Sequence, residues 1–288
     1  MIKKISINFR PDDQLSLDII KNICSIADKR NIKVLLPDYP SLANQGLDTY
    51  ISTWEPYTDN PDLIISIGGD GTFLRSSRIF IDSGSPIFGI NRGRLGFMTE
   101  FNPDEYEYHL INILNGDFTV SEKTVMEAVH NSKGGESSLY FINDAVISKG
   151  AFSRAIVTEL FVDDIFFNRF AGDGLIISTA TGSTAYSLSA GGPIISPSAN
   201  GVCIINPVCP HSLATRPVVV PSTSIIKARI LSEVKNLLLT IDGQEAIEFS
   251  CGDEIIFKKA DKKMKLIVHP EKDFYLILRE KLNWGRDY

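Results

Sequence analysis

The chain has 288 residues, 43% hydrophobic and 22% charged, with a formal net charge of −6, which is typical of a globular protein with one large or two ordinary domains. The negative charge argues against a broad nucleic-acid surface, and the lack of a run of about 18 apolar residues argues against a membrane span. Four cysteines without a C-x-x-C pair favour free thiols in a reducing compartment, so the sequence predicts a cytoplasmic protein with neither nucleic-acid nor membrane partners.

Predicted strands and helices alternate over the first hundred residues. From the spacing of the apolar residues, strands are expected at 5–9, 32–36, 63–67 and 86–90, and helices at 15–27 and 73–81. This alternation is typical of parallel strands joined by helical crossovers. The sequence therefore predicts an N-terminal α/β domain with a parallel sheet at residues 1–100, and the apolar C-terminal tail at about 270–288 is expected to pack back on it.

The pattern changes to short strands after a helix expected near 103–114. Gly, Pro, Asn and Asp separate apolar runs at 125–129, 140–142, 155–162, 175–179, 202–205, 225–231, 237–241 and 254–257. Lys133-Gly134-Gly135-Glu136 predicts a hairpin turn, and a single helix is expected to begin near Ser183 or Thr184. Strands at this spacing predict a β-rich, sandwich-like C-terminal domain at residues 101–269.

A glycine-rich segment, 68–72, directly follows the apolar run at 63–67. Glycine lets backbone N–H groups approach an anion closely, and the helix expected next would direct its N-terminus at a phosphate. The segment is neither a Walker A loop nor a G-x-G-x-x-G fingerprint, and a plain turn is the alternative. Its one carboxylate, Asp70, indicates chemistry beyond binding. The residues expected to contact a bound phosphate are Gly68, Gly69, Gly71, Thr72 and Arg75.

Three later stretches also carry polar residues where strands end: Asn143-Asp144, the segment 172–193, and Asp242-Gly243-Gln244. In the second, the hydroxyls of 181–184 can cap a helix or donate to an anion, and Tyr186 and Ser189 share a helix face. Each stretch has a structural alternative: a capped turn with Tyr186 in the core, a turn or cap at Asn143-Asp144, and a hairpin turn at Asp242-Gly243.

Taken in order, with Leu95-Gly96-Phe97 between the first two, these motifs resemble those of the NAD kinase family (ATP-NAD kinase, polyphosphate-NAD kinase). The resemblance covers residues 62–245 densely. The Gly-Gly-Asp-Gly loop is shared with diacylglycerol, sphingosine and 6-phosphofructo-kinases, whereas 173–193 is more specific to NAD kinases. The resemblance implies an α/β and a β-rich domain, and transfer of the γ-phosphoryl group of ATP (or polyphosphate) to the adenosine ribose 2′-hydroxyl of NAD. It also implies Mg²⁺ bound through ATP phosphates, without assigned protein ligands, and a homodimer or homotetramer.

The resemblance further implies roles for individual residues. Asp70 would be catalytic, near the receiving hydroxyl, while Asp144 would bind ribose hydroxyls and Asp173 would lie at the nicotinamide end. The full set expected to contact NAD is Gly71, Phe97, Asn143, Asp144, Asp173, Thr184, Ala185, Tyr186, Ser189 and Gln244.

The chain departs from the family pattern at two positions. Many members carry Asn-Glu in place of Asn143-Asp144, and many carry Arg at the position of Ala171. Two alternatives stay open there: Arg169 substitutes from nearby, or that contact is absent. His211 is either structural or close to the phosphates. Two other functions stay open: a lipid or sugar kinase of the same loop group, and a dinucleotide-binding regulator without catalysis.

Overall fold

The computed structural model describes residues 2–11, 13–132, 135–150, 154–199, 201–234 and 236–285. The turn predicted at Lys133-Gly134 lies outside these residues. The chain divides into two compact units, the first formed by Met1–Glu122 with Met264–Tyr288 and the second by Lys123–Lys263. Each unit has its own hydrophobic core.

The elements of the first half of the chain are β1 (Lys4–Phe9), α1 (Gln14–Asp28), β2 (Lys33–Pro37), β3 (Ile51–Ser52), α2 (Trp54–Thr58), β4 (Leu63–Ile67), α3 (Asp70–Ile79), β5 (Pro86–Ile90), α4 (Tyr106–Leu114), β6 (Thr119–Ser132), β7 (Gly135–Phe141) and β8 (Asp144–Ser148). The remaining elements are β9 (Ile156–Val162), β10 (Ile165–Gly172), β11 (Gly174–Thr179), α5 (Tyr186–Ser189), β12 (Val202–Val208), β13 (Val218–Pro221), β14 (Ile226–Ile230), β15 (Leu237–Ile241), β16 (Glu245–Phe249), β17 (Glu254–Val268) and α6 (Phe274–Leu282). Short 3₁₀ helices occur at Pro40–Leu42, Asp48–Tyr50 and Thr181–Thr184.

The first unit contains a parallel sheet in the order β5-β4-β1-β2-β3. The C-terminal end of β17 adds beside β5, with Lys265 opposite Pro86 and Leu266 opposite Ile87. Strand β4 is buried along its whole length, as expected for a parallel strand that helices cover on both faces. The predicted N-terminal α/β class with a parallel sheet is confirmed, and the C-terminal tail returns to this unit as α6.

Buried polar side chains fix α3 against the sheet. The Asn8 side-chain amide donates to the Ser76 hydroxyl at 2.8 Å, and the Ser76 and Ser66 hydroxyls are hydrogen-bonded at 2.9 Å. All three residues are fully buried. Because a buried polar group is costly unless it is paired, these bonds specify how α3 sits on β1 and β4, and thereby where the first turn of α3 lies.

The second unit is built from antiparallel strands. One sheet has the order β13-β12-β11-β8-β15-β16. In the other, β10, β9, β14 and β17 are paired side by side, and β6 pairs antiparallel with β7. Along β15 every second residue (Leu237, Leu239, Ile241) is buried, which is the alternation of a strand with one face on a core. The predicted β-rich, sandwich-like class is confirmed, although β6 and β17 are much longer than the strands predicted there.

Two helix predictions need correction. Helix α3 covers 70–79 instead of 73–81, because Gly69 caps it and Asp70 already has helical geometry. The single helix expected from Ser183 or Thr184 is a 3₁₀ turn, 181–184, followed by the four-residue α5, with a break at Ala185 (φ −98°, ψ −133°). In the described part of the chain, no helix is long and apolar enough to cross a membrane.

Candidate functional site

The glycine-rich loop joins the carboxyl end of β4 to the first turn of α3. A Cβ on Gly68 would lie 2.4 Å from the Thr72 hydroxyl oxygen, so only glycine fits there. A Cβ on Gly69 would meet no atom within 4 Å, so there is open space beside this residue. The Gly68 amide donates to the Ile90 carbonyl at 2.9 Å, which ties the loop to the end of β5.

The early start of α3 changes the expected phosphate contacts. The amides of Thr72 and Phe73 both donate to the Gly69 carbonyl, at 2.9 and 3.1 Å, so in this conformation the Thr72 amide is satisfied within the helix. What the loop offers an anion is the N-terminus of α3, where the helix dipole favours negative charge. Arg75 lies one turn further along, with its guanidinium carbon 5.8 Å from the centre of the Tyr39 ring.

The Asp70 carboxylate is held by the loop that follows β5. Its Oδ2 accepts a hydrogen bond from the Phe97 amide at 3.0 Å, and its Oδ1 accepts from the Met98 amide at 3.0 Å and from the Thr99 hydroxyl at 3.3 Å. A Cβ on Gly96 would lie 2.2 Å from Asp70 Oδ1, so glycine is required there as well. The structure thus brings together two sequence-predicted residues, Asp70 and Phe97.

Asn91 holds the same loop in shape. Its side-chain amide donates to the Thr99 carbonyl at 3.1 Å, and its side-chain oxygen accepts from the Gly93 amide at 2.8 Å. Asn91 is fully buried. These bonds explain why the amides of residues 97 and 98 stay directed at Asp70, and sequence reasoning did not single out Asn91.

Helix α6 packs against this loop from the C-terminal segment of the same unit. The Phe274 ring lies 6.2 Å from the Phe97 ring. The Lys281 ammonium lies 3.8 Å from Asp70 Oδ2 and 5.5 Å from the centre of the Phe97 ring. The sequence predicted only that this tail returns, because no motif marks Lys281.

In the second unit, Asp242-Gly243 forms the hairpin turn that was the structural alternative for this stretch. Both residues have positive φ (49° and 65°), and the Gln244 amide donates to the Ile241 carbonyl at 2.9 Å. Such a turn matches the twist of the strands β15 and β16 that it joins. The turn accounts for Gly243 and for the positive φ of Asp242.

The Asp242 side chain has a second role. Its Oδ1 accepts from three consecutive amides, those of residues 142, 143 and 144, at 3.2, 2.8 and 3.2 Å. The Asp242 amide in turn donates to the Asp144 carbonyl at 2.8 Å. The carboxylate therefore fixes the backbone that presents Asn143 and Asp144.

Asn143 is also held from the other side. Its carbonyl accepts from the Thr179 amide at 2.9 Å, and a Cβ on Gly182 would lie 2.0 Å from the same carbonyl oxygen. The Asn143 side-chain oxygen is buried and has no hydrogen-bond partner within the described residues. An acceptor of this kind is costly to leave unpaired, and a donor on a bound ligand would satisfy it.

Asp144 is 4% exposed and begins β8. Burial, followed by the nearby charge of Asp242, raises the pKa of Asp144 to about 7, while a hydrogen bond from the Tyr186 amide opposes the rise. Tyr186 itself is 48% exposed, so the interpretation of this residue as part of the core is wrong. The structure thus gathers Asn143, Asp144 and Tyr186.

The other predicted residues of this unit fall into two groups. Asp173 lies away from Asp144, and the rest belong to the 3₁₀ turn and the short helix around Tyr186. Asp173 precedes β11 and pairs with Lys149 at 2.7 Å. In the β8–β11 pair, Ser148 is opposite the first residue of β11 and Asp144 is opposite Ser178, so Asp173 and Asp144 lie at opposite ends. Thr184 ends the 3₁₀ turn, Ala185 is the break after it, and Ser189 ends α5.

Two residues whose roles the sequence left open, Arg169 and His211, have hydrogen-bond partners in the structure. Arg169, proposed as a substitute for the missing arginine at Ala171, pairs with Glu159 on the neighbouring strand, with its Nε 3.1 Å from the carboxylate. The His211 amide donates to the Ala171 carbonyl at 2.8 Å. Arg169 is thus already engaged with a carboxylate.

A separate cluster in the first unit consists of Glu105, His109 and His269, whose ligand atoms lie within 4.8 Å of one another. Burial lowers the pKa of both histidines. The Lys272 ammonium, however, already contacts Glu105 Oε1 at 2.5 Å, and a cation in this position competes with a metal ion. In the described residues, no other group of three or more His, Cys, Asp or Glu side chains could share an ion.

The chain matches two family models over most of its length: the ATP-NAD kinase N-terminal domain at residues 7–118 and the ATP-NAD kinase C-terminal domain at residues 142–269. A protein named NAD kinase from Syntrophotalea carbinolica is 43% identical over 227 residues, which are 78% of this chain and 79% of that protein. Another from Geotalea daltonii is 37% identical over 285 residues, which are 99% of both chains.

Solved structures show the same fold. Yeast NADH kinase complexed with NADH superposes with a TM-score of 0.92 at 24% identity, covering 100% of this chain and 89% of that one. An NAD kinase from Archaeoglobus fulgidus in complex with ATP gives 0.75 at 24% identity, covering 97% of each. On the family models and the two sequence relatives together, this chain belongs to the NAD kinase family.

Proposed function

We propose that this chain is an NAD kinase, which transfers the γ-phosphoryl group of ATP to the 2′-hydroxyl of the adenosine ribose of NAD and so forms NADP. The observation that carries this proposal is a match to a protein named NAD kinase over 99% of both chains. The motifs that the resemblance uses lie inside that match. The local geometry of Asp70 and of Asp144 supports the proposal residue by residue.

Asp70 is proposed as the catalytic residue. Phosphoryl transfer leaves little covalent work to a protein, so positioning and charge compensation dominate. Three donors fix the carboxylate in one orientation, and its side chain is 27% exposed, so a substrate hydroxyl can reach it. Asp70 orients the ribose hydroxyl and accepts its proton as the O2′–Pγ bond forms and ADP leaves.

The phosphate side of the reaction is assigned to the start of α3. Gly69 has open space beside it, the helix N-terminus favours negative charge, and Arg75 is exposed one turn away. Gly68, Gly71 and Thr72, the other residues of this loop, are proposed to line the same phosphate site. Mg²⁺ is proposed to arrive on the ATP phosphates, where it neutralises their charge, since Mg²⁺ commonly uses one or two carboxylates plus substrate phosphates. Asp70 already accepts three hydrogen bonds, and its remaining acceptor position is proposed for the ribose hydroxyl, so the metal is assigned to the phosphates without a protein ligand.

The NAD side is assigned mainly to the second unit. Asp144 would accept charge-assisted hydrogen bonds from ribose hydroxyls, and the unpartnered Asn143 oxygen would accept from a ligand donor. The exposed ring of Tyr186 can stack on a planar base. Thr184, Ala185, Ser189, Asp173 and Gln244 are proposed as further contacts, together with Gly71 and Phe97 of the first unit.

One assay tests the function against its alternatives. The protein is incubated with ATP, Mg²⁺ and NAD, and NADP is detected with an NADP-specific dehydrogenase. Polyphosphate in place of ATP, and NADH in place of NAD, determine the donor and acceptor range. NAD binding without NADP formation would indicate a dinucleotide-binding regulator. Phosphorylation of a lipid or sugar, with NAD left unchanged, would indicate another kinase of the same loop group.

Compartment and assembly are further parts of the proposal. All four cysteines are free thiols, two of them buried and two exposed, which supports a reducing compartment such as the cytoplasm. The family resemblance supports a homodimer or homotetramer. Light scattering coupled to size-exclusion chromatography would distinguish these from a monomer.

A further inference from the structure

We propose that Lys281 is a positioning residue for phosphoryl transfer, acting through Asp70; the inference rests on the proposed function. Lys281 lies in the last turn of α6, more than two hundred residues after Asp70 in the chain. Its ammonium is 3.8 Å from Asp70 Oδ2. No sequence motif and no role implied by the family resemblance marks this lysine.

Helix α6 presents two side chains to the loop that holds Asp70. Phe274 and Lys281 are seven residues apart, which is about two helical turns, so they lie on the same face. Phe274 contacts the Phe97 ring, and the Lys281 ammonium lies 5.5 Å from the centre of that ring. The packing of α6 on the Phe97 loop therefore brings the Lys281 side chain close to Asp70.

The hydrogen bonds of Asp70 leave one position for a substrate. A carboxylate oxygen accepts about two hydrogen bonds. Among the residues that the structure describes, Oδ1 already accepts from Met98 and Thr99, whereas Oδ2 accepts a hydrogen bond from the Phe97 amide alone. The remaining acceptor position is thus on Oδ2, the oxygen nearest to Lys281.

The distance between Lys281 and Asp70 suits a charge-balancing role. It is longer than the about 2.7–2.9 Å of a charge-assisted hydrogen bond, so the ammonium compensates the carboxylate without occupying its free acceptor position. A hydroxyl that donates to Oδ2 would have its oxygen close to the ammonium. When that oxygen attacks the γ-phosphorus, the proton passes to Asp70 and the Pγ–O bond to ADP breaks. Until the proton reaches Asp70 and neutralises it, Lys281 reduces the repulsion between the charged carboxylate and the incoming phosphoryl group.

The same geometry predicts a kinetic effect with little effect on stability. The two side chains are 35% and 27% exposed, and exposed ion pairs contribute little to folding. A preorganised charge at a reacting centre acts on the rate instead. Loss of the lysine should therefore change kcat more than KM or the melting temperature.

The test compares Lys281→Met, Lys281→Arg and a matched control, Arg279→Met, in the same last turn of α6. For Lys281→Met we expect kcat to fall about tenfold. Removing a hydrogen-bond donor from a water-excluded active site lowers kcat more than this, but Lys281 is partly exposed. KM for NAD should stay within about twofold of the wild-type value. Lys281→Arg should recover most of the rate, and Arg279→Met should match the wild type. A kcat for Lys281→Met within about twofold of the wild type, or an equal loss in the control, overturns the proposal.

A double-mutant cycle with Asp70→Asn tests whether Lys281 acts through Asp70. If it does, Lys281→Met should cost little further rate in the Asp70→Asn background. Independent, multiplicative losses overturn the proposal. Should Lys281→Met fail to fold, Lys281→Gln takes its place in the same cycle. A wild-type protein that forms no NADP contradicts the proposed function instead, whereas an active wild type with an equally active Lys281→Met contradicts this inference alone.

Discussion

Replacing Asp144 by Asn should stabilise the ligand-free protein at alkaline pH and much less at acidic pH. Asp144 is buried, and its pKa is raised from 3.8 to about 7. Between these two values the folded protein holds a proton that the unfolded chain releases. The free energy of unfolding of the wild type therefore falls as pH rises through this window and levels off above about 7.

The magnitude follows from the two pKa values. At about 1.4 kcal/mol per pH unit, a rise from 3.8 to about 7 amounts to about 4 kcal/mol over the whole window. Between pH 5 and pH 8 the loss is about 2.5 kcal/mol, because the carboxyl is half ionised near pH 7. Asn has nearly the same shape and does not ionise, so the Asn variant should gain about this amount relative to the wild type between the two pH values.

Urea denaturation without NAD, at pH 5 and pH 8, measures this difference. The matched control is Asp261→Asn, which removes the same charge from an exposed position in the same unit. The control should give the same change relative to the wild type at both pH values. A stability gain for Asp144→Asn that does not grow with pH, or one equalled by Asp261→Asn, would refute the reasoning.

Further predictions concern catalysis and binding. Asp70→Asn should keep NAD binding and lower turnover about 10²–10⁴-fold, or about 3–5.5 kcal/mol in the barrier; wild-type turnover would contradict the assigned role. Asp144→Ala should weaken NAD affinity in calorimetry, and unchanged affinity would refute its part in binding. For the wild type, KM for NAD should rise as pH falls from about 8 to about 6, because protonated Asp144 no longer accepts charge-assisted hydrogen bonds from the ribose hydroxyls. A KM that does not change with pH would argue against that contact. Gly182→Ala should raise KM for NAD by pushing on the Asn143 carbonyl, whereas Gly201→Ala, which meets open space, should not; equal effects would contradict this.

Local patterns were sufficient to predict the fold class and the glycine loop at the carboxyl end of β4. The apolar run at 63–67 predicts a buried strand, and a glycine loop follows its carboxyl end. In parallel α/β sheets, ligands bind at the carboxyl ends of the strands. The start of α3 was misplaced because glycines and Asp are poor helix formers in isolation. The packing of the helix on Asn8 and Ser66 overrides that preference.

Contacts between distant parts of the chain could not be predicted. Asp242 reaches amides about a hundred residues earlier, and spacing along the chain carries no information about such a contact. The same holds for Lys281 beside Asp70. Sequence reasoning correctly recognised Asp242-Gly243 as a turn but had no means to see that the turn residue also holds Asn143 and Asp144.

This dual use of Asp242 restricts which substitutions the chain can accept. Its positive φ is tolerated by Gly, Asn and Asp, so a turn alone would let the position vary among them. Only Asp also supplies a carboxylate oxygen for three amides at once. In a saturation library selected for activity, position 242 should therefore remain almost entirely Asp, while an exposed position of the same hairpin, such as 246, should accept many residues.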